Sequence, residues 1–131
     1  MRAVETIDQV ASSVTSALRG PGGTAEAIRI AFAFVPAFDR ASPGDRVRMV
    51  RGRPAATGDE RFDALLAAMV EHLCARWGVP VPGWVDDPDR YVEPWWFVSG
   101  LRNLHASALA ESPISFARHG VFVCDGALSY A

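Results

Sequence analysis

The stretch ERFDALLAAMVEHLCARW, residues 60–77, contains the clearest pattern in the chain. Its apolar residues recur at three- and four-residue intervals over about four and a half turns, which is the spacing of one helix face. Thr57 and Glu60 have the spacing of a capping box, and Gly78 fits the position just beyond a helix end. We therefore predict a helix over 60–77 that forms the spine of the fold.

Two helices are predicted at the start of the chain. Residues 4–18 are amphipathic with helical spacing, and the Gly/Pro joint at 20–23 ends them. Thr24 can cap a second helix over 25–35, which Pro36 should kink or finish.

A third helix is predicted to begin at Ser42. Ser42 supplies a hydroxyl cap, Pro43 the first helical position and Asp45 an acid three residues after the cap. Residues 46–51 also alternate as a strand would. We choose the helix because of the start signal.

The part of the chain after the spine helix mixes irregular and helical patterns. Residues 79–98 are rich in proline and tryptophan and are predicted to be irregular. Ser99 can cap a helix that carries Leu101 to Leu109, and residues 112–120 form another short helix, followed by an extended run at 121–124 and a last turn near the end. The prediction is an all-α, single compact domain of five or six helices, with an amphipathic helix at 1–19 and the main body at 24–131.

Composition narrows the class of protein. The chain has 131 residues, half of them apolar, and 13 basic against 15 acidic residues. These values exclude a coiled coil, collagen and a disordered chain. No apolar run is long enough to span a membrane, and Glu5 and Asp8 interrupt the segment where a signal peptide needs apolar residues. We expect a cytoplasmic protein with both cysteines reduced.

Five histidine and cysteine residues are the candidates for metal or catalytic chemistry: His72, Cys74, His105, His119 and Cys124. Residues two apart on a helix point in nearly opposite directions, so His72 and Cys74 cannot easily share one ion. The sequence has no Cys-x-x-Cys or His-x-x-x-His pair. We predict no metal, no cofactor and no enzyme, with a small enzyme or metal-binding protein using these residues as the alternative.

An arginine patch lies between Arg40 and Arg53, where five arginines accompany one acidic residue. Such a patch can be a solvated helix face, can meet acidic groups of a partner protein, or can bind a phosphate backbone. The candidate partner-binding residues in it are Arg46, Arg48, Arg51 and Arg53. Nucleic-acid binding through the patch is a further alternative.

All four tryptophans lie within residues 77–97. Large aromatic side chains can anchor irregular loops onto a helical core, or they can form a protein-binding hot spot. The hot-spot interpretation predicts that Trp95 or Trp96 is exposed, because adjacent residues of an extended segment point to opposite sides. We take these two as candidates for the apolar anchor of a partner-binding face.

Three stretches carry a resemblance: RGRPAATGD (51–59) with the helix after it, WVDDPDRY (84–91) with WWF (95–97), and SPISFARHGVFV (112–123). Together they resemble a family of small actinobacterial proteins, and also the region that follows a helix-turn-helix domain in some regulators. Genes of this kind can neighbour nucleotidyltransferase-like toxins. The resemblance implies an antitoxin-like or regulatory partner protein. Residues 4–38 depart from the regulator form, because they show no helix-turn-helix pattern.

The predicted function is a non-catalytic protein-interaction module whose arginines and Trp95 or Trp96 contact a protein partner. The sequence also allows homodimerisation through the amphipathic helix at 4–18, and nothing in the residues decides it.

Overall fold

A computed structural model describes residues 4–92, 96–98 and 114–122, and its fold is all-α, as predicted. The described residues contain six α-helices, two short 3-10 helices and one pair of two-residue strands. The α-helices are α1 (Ile7–Arg19), α2 (Gly23–Phe32), α3 (Phe34–Asp39), α4 (Pro43–Val50), α5 (Glu60–Trp77) and α6 (Ile114–Arg118). In these residues, no helix combines the length and the apolar character needed to cross a membrane.

Helix α5 has the predicted bounds and lies at the centre of the fold. Every residue from 62 to 70 is buried, so the helix is surrounded on all sides rather than packed along one face. The alanines at 64, 67 and 68 allow this, because their small side chains let neighbouring elements approach closely. Gly78 ends the helix in the left-handed conformation, with φ at 67°, which glycine adopts without strain.

The predicted capping box at the start of α5 is wrong. Asp59 is the N-cap, and its carboxylate accepts a hydrogen bond from the backbone N–H of Arg61 at 2.9 Å. Thr57 lies outside the helix and donates through its backbone N–H and its hydroxyl to Asp63 Oδ1, at 2.9 and 3.0 Å. The spacing of Thr57 and Glu60 therefore reflects a loop that is fixed to α5 through Asp63.

Helix α1 is part of the core. It begins at Ile7, three residues later than predicted, and Thr6 and Gln9 form a capping box there. Ile7, Val10 and Val14 are fully buried, and α1 packs mainly against α2, with further contacts to α4 and α5. The apolar face that could have supported homodimerisation is thus covered within the chain.

The next helices differ from prediction in their bounds. Helix α2 begins at Gly23 without a side-chain cap, so Thr24 does not serve as one, and it ends at Phe32. Pro36 lies in the first turn of α3, where the backbone N–H that proline lacks has no intrahelical partner to lose. The prediction for α4 is confirmed, because Ser42 accepts a hydrogen bond from the N–H of Asp45 and Pro43 opens the helix. The strand alternative is wrong.

The described carboxyl-terminal residues return to α5. Strands β1 (Trp96–Phe97) and β2 (Val121–Phe122) pair in parallel, and α6 packs on α5. Gly120, which has a φ of 82°, lies so close to the Val92 carbonyl that a Cβ atom would be 2.3 Å from its oxygen. Only glycine fits there. The helix predicted to follow Ser99 and the last turn predicted after residue 124 lie outside the described residues.

Candidate functional site

Arg46 is not an exposed residue of a partner-binding patch, as the sequence suggested. Its side chain is buried, and its Nε and Nη2 atoms donate to the carbonyl oxygens of Phe38 and Asp39 at 3.0 and 2.7 Å. Its guanidinium lies 3.7 Å from the ring centroid of Trp77. Arg46 therefore fixes the end of α3 and the end of α5 relative to α4.

The other arginines of the patch have different surroundings. Arg48 forms an ion pair with Asp45 on its own helix. Arg53 bridges two carboxylates, Asp87 at 2.8 Å and Asp89 at 2.9 Å. Arg51 is exposed and has no ion pair within the described part of the chain. Arg53 is more than 30 positions from the acidic turn at 86–89, so the spacing of the residues does not indicate the pairing.

The tryptophans fall into two groups. Trp96 is buried against the ring of Phe62, with centroids 5.1 Å apart, so it is used within the fold. Trp84 is also buried, and its indole N–H donates to the carbonyl oxygen of Val50 at 2.9 Å. Trp77 is 42% exposed. Trp95 lies outside the described residues.

A polar network joins α5 to the segments that follow it. We define it as Glu71, Asp86, Tyr91, Arg118 and His119. Arg118 donates to both Glu71 and Asp86, and the Asp86 bond is 2.7 Å long. Tyr91 donates to Asp86 at 2.9 Å, and its ring stacks on that of His119 with centroids 4.4 Å apart.

His119 is fully buried at the centre of this network. Its Nδ1 atom lies 2.6 Å from the Arg90 carbonyl oxygen, and its Nε2 atom lies 3.1 Å from Glu71 Oε1. Both ring nitrogens thus face an oxygen atom, and neither is open to a ligand in this arrangement. The sequence indicated His119 only as a candidate for metal or catalytic chemistry, because Glu71 is 48 positions away and no periodicity links the two.

The carboxylates of the network are held in their ionised form. Burial raises the pKa of Glu71, but hydrogen bonds from Arg118 and His119 outweigh it and bring the pKa below its usual value. Hydrogen bonds from Arg118 and Tyr91 likewise lower the pKa of Asp86. The hydrogen bond to Glu71, which has the largest effect, and the hydrogen bond to Asp86 raise the pKa of the Arg118 guanidinium. These charges stabilise one another and connect four segments of the chain.

The remaining metal and nucleophile candidates are separated by the fold. Cys74 is buried, and its desolvation raises the thiol pKa to about 11, so it stays protonated at neutral pH. His72 lies on another side of α5, where its ring contacts Phe116 and its Nε2 atom lies 3.2 Å from Arg76. Among the described residues, no three histidine, cysteine or acidic side chains converge on one point. His105 and Cys124 lie outside them.

Acidification is expected to destabilise the protein through Glu71 and Asp86. The pKa values of both carboxyl groups are lower in the folded chain than in the unfolded chain. Their ionisation therefore stabilises the fold fully above about pH 4–4.5, the range of the unfolded-state values. This stabilisation is lost as the pH falls through the folded-state values. We expect Glu71→Gln to lower the free energy of unfolding by about 1.5–3 kcal/mol at neutral pH. The difference from the wild type should shrink towards about pH 3, as urea unfolding followed by circular dichroism can measure.

Glu60→Gln is the matched control for this experiment. It removes the same charge from an exposed position at the start of the same helix. A Glu71→Gln difference that keeps its size across the acidic range would contradict the stabilising role assigned to the ionised carboxylate.

A second group of residues forms an exposed aromatic surface, which we call the Trp77 platform: Asp39, Arg46, Arg76 and Trp77. The indole N–H of Trp77 donates to Asp39 Oδ1 at 2.7 Å, and Arg76 donates to the same carboxylate at 3.1 Å. The Arg46 guanidinium covers the indole ring from α4. The indole ring is therefore held at its edge by the Asp39 carboxylate and on its face by the Arg46 guanidinium, while two-fifths of Trp77 remains exposed.

Comparison of the chain with protein-family models, with curated proteins and with solved structures finds no match in any of the three. The polar network and the Trp77 platform are consequently the features on which a functional proposal can rest.

Proposed function

We propose that this protein is a non-catalytic protein-interaction module of the cytoplasm, an antitoxin-like or regulatory partner of a second protein. The observation that carries the proposal is the Trp77 platform. Tryptophan and arginine are the residue types that most often dominate binding energy in protein interfaces. Here Trp77 is 42% exposed, and the exposed Arg76 shares the Asp39 carboxylate with it.

The platform is held in one conformation before any partner binds. Arg46 cannot swing away without losing its bonds to the carbonyl oxygens of Phe38 and Asp39. Trp77 cannot rotate without losing its bond to the Asp39 carboxylate. A side chain that is already ordered loses little conformational entropy on binding, so more of its contact energy appears as affinity.

Further apolar side chains are exposed on the helix that carries Arg46 and in the segment that follows Trp77. Val47, the residue after Arg46, is 41% exposed, and Val81, four residues after Trp77, is 45% exposed. A protein interface usually has a core of apolar side chains that the partner covers fully, and a rim of polar groups around it. The antitoxin-like or regulatory role is supported by the resemblance of residues 51–123 described above.

The partner-binding residues are revised accordingly. Trp77 replaces Trp96 as the centre of the proposed face, since Trp96 is buried in the core, and the buried Arg46 positions the indole ring from within the fold. Arg48 and Arg51 remain candidates because both are exposed on α4 or at its end. Arg53 is assigned to holding the acidic turn through Asp87 and Asp89.

Co-elution with the product of the adjacent gene tests the proposal. We expect the two purified proteins to form a complex, and Trp77→Ala to weaken it by roughly 30-fold or more, the value that corresponds to a hot-spot residue. Ile114→Ser is the matched control, because Ile114 is 83% exposed on α6. Its complex should have wild-type affinity. Two proteins that never associate, or equal losses for both variants, would contradict the proposal.

A further inference from the structure

We infer that the Trp77 platform binds an acidic segment of a partner protein that presents one apolar side chain to the indole ring. This inference rests on the proposed function and adds the chemistry of the partner to it. It depends on the charge of the segments that carry the platform and on the apolar side chains exposed on those segments.

The segments that contribute the platform residues carry a net positive charge. Residues 39–51 carry four arginines and two aspartates, and Arg76 adds one more positive charge, so this part of the molecule has a net charge of +3. The whole chain has a net charge of −2, which leaves −5 for the rest. An approaching acidic segment is therefore attracted to this region and repelled by the remainder.

The positive charge here is only partly neutralised within the chain. Arg46 donates to backbone carbonyl oxygens, and no carboxylate of the described residues forms an ion pair with it. Arg40 and Arg51 are exposed and likewise have no carboxylate partner in the described part of the chain. In contrast, Arg53 and Arg118 each bind two carboxylates. Four described arginines therefore have no carboxylate partner, and three of them lie on α4 or at the ends of α3 and α4, whereas the fourth, Arg19, ends α1.

Apolar surface beside these cations favours a protein segment over a nucleic acid. Val47 and Arg51 are four residues apart, so they lie on one side of α4 and its end. Val47 and Val81 offer aliphatic surface that gains nothing from a phosphate backbone but can be covered by an apolar side chain. The exposed part of Trp77 supplies the flat contact for that side chain.

Selection from a random peptide library tests the inference without knowledge of the natural partner. The full chain is immobilised, and peptides that also bind the Trp77→Ala protein are removed. We expect the enriched peptides to contain more aspartate and glutamate than lysine and arginine, together with an aromatic or leucine residue. Their affinity should fall at least about tenfold for Arg51→Glu, should weaken as salt rises, and should stay at the wild-type level for Ile114→Ser.

Several outcomes would overturn the inference. Enriched peptides that are basic or uncharged would exclude an acidic partner, and the absence of any enriched peptide after removal of those that bind the Trp77→Ala protein would exclude the platform. Tighter binding of a labelled single-stranded oligonucleotide than of any peptide would favour nucleic acid. The proposed function is tested separately by co-elution, so a complex that forms through another surface would leave that function standing while this inference fails.

Discussion

Replacing Arg90 with alanine is expected to lower the free energy of unfolding by about 3–5 kcal/mol, the usual cost of removing one partner from a buried charged pair. Arg90 is the largest fully buried side chain of the described residues. Its Nη2 atom donates to the Pro54 carbonyl oxygen at 2.8 Å, and its Nη1 atom lies 4.0 Å from the Asp63 carboxylate. Its guanidinium also packs over the ring of Trp84, 5.1 Å from the centroid.

The loss has three physical sources. The Pro54 carbonyl oxygen would lose its donor, and the buried Asp63 carboxylate would lose its nearest cation. The alanine would also leave a cavity beneath Trp84. Arg90 lies in the 3-10 helix Pro88–Arg90 and connects it to the loop that precedes α5. All three losses therefore weaken the contact between these two segments.

Two further variants separate these sources. Arg90→Met keeps most of the side-chain volume and removes the donors, so we expect about 1–3 kcal/mol of destabilisation from it. Arg51→Ala removes an exposed arginine and should change stability by no more than about 0.5 kcal/mol. Urea unfolding of the three proteins gives the comparison. An Arg90→Ala protein as stable as Arg51→Ala would refute the anchoring role.

The helices could be predicted from the sequence where the determining signals are local. The periodicity of residues 60–77 and the Ser42-Pro43 start signal depend on neighbours within one or two turns, and both predictions are confirmed. The start of α5 was predicted correctly, but its cap was wrongly assigned to Thr57, whose hydroxyl binds Asp63, six positions away, rather than the helix terminus. Residue spacing does not show which of several possible hydrogen-bond partners a threonine side chain will take.

The environment of each arginine and tryptophan depends on distant residues, and the sequence could not supply it. Arg46, Met49 and Val50 have the spacing of one buried helix face, but a charged residue at its edge is normally read as solvent-exposed. The burial of Arg46 is favourable because the carbonyl oxygens of Phe38 and Asp39 accept its hydrogen bonds and the indole ring of Trp77 packs against its guanidinium. Trp96 lies between two other aromatic residues in the sequence, but its burial depends on Phe62, which is 34 positions away.

The contrast between Trp77 and Trp96 gives the second large prediction. Trp96→Ala is expected to lower the free energy of unfolding by about 3–5 kcal/mol, because it empties a buried site between Phe62 and the guanidinium of Arg61. Trp77→Ala removes one exposed hydrogen bond and one cation–π contact, so it should cost only about 1–1.5 kcal/mol. The two variants carry the same substitution at sites of opposite exposure.

Urea unfolding and partner binding, measured on both tryptophan variants, distinguish a folding role from a binding role. Where Trp96→Ala is too unstable to purify, Trp96→Phe keeps a ring against Phe62 and should lose no more than about 1.5 kcal/mol while binding the partner normally. Trp77→Ala should stay folded and lose the partner. If instead Trp96→Phe abolished binding and Trp77→Ala retained it, the recognition face would have to be moved to the end of the molecule that contains β1. The exposed area of Trp77 argues for the first result, because an interface residue must be reachable before it can contribute binding energy.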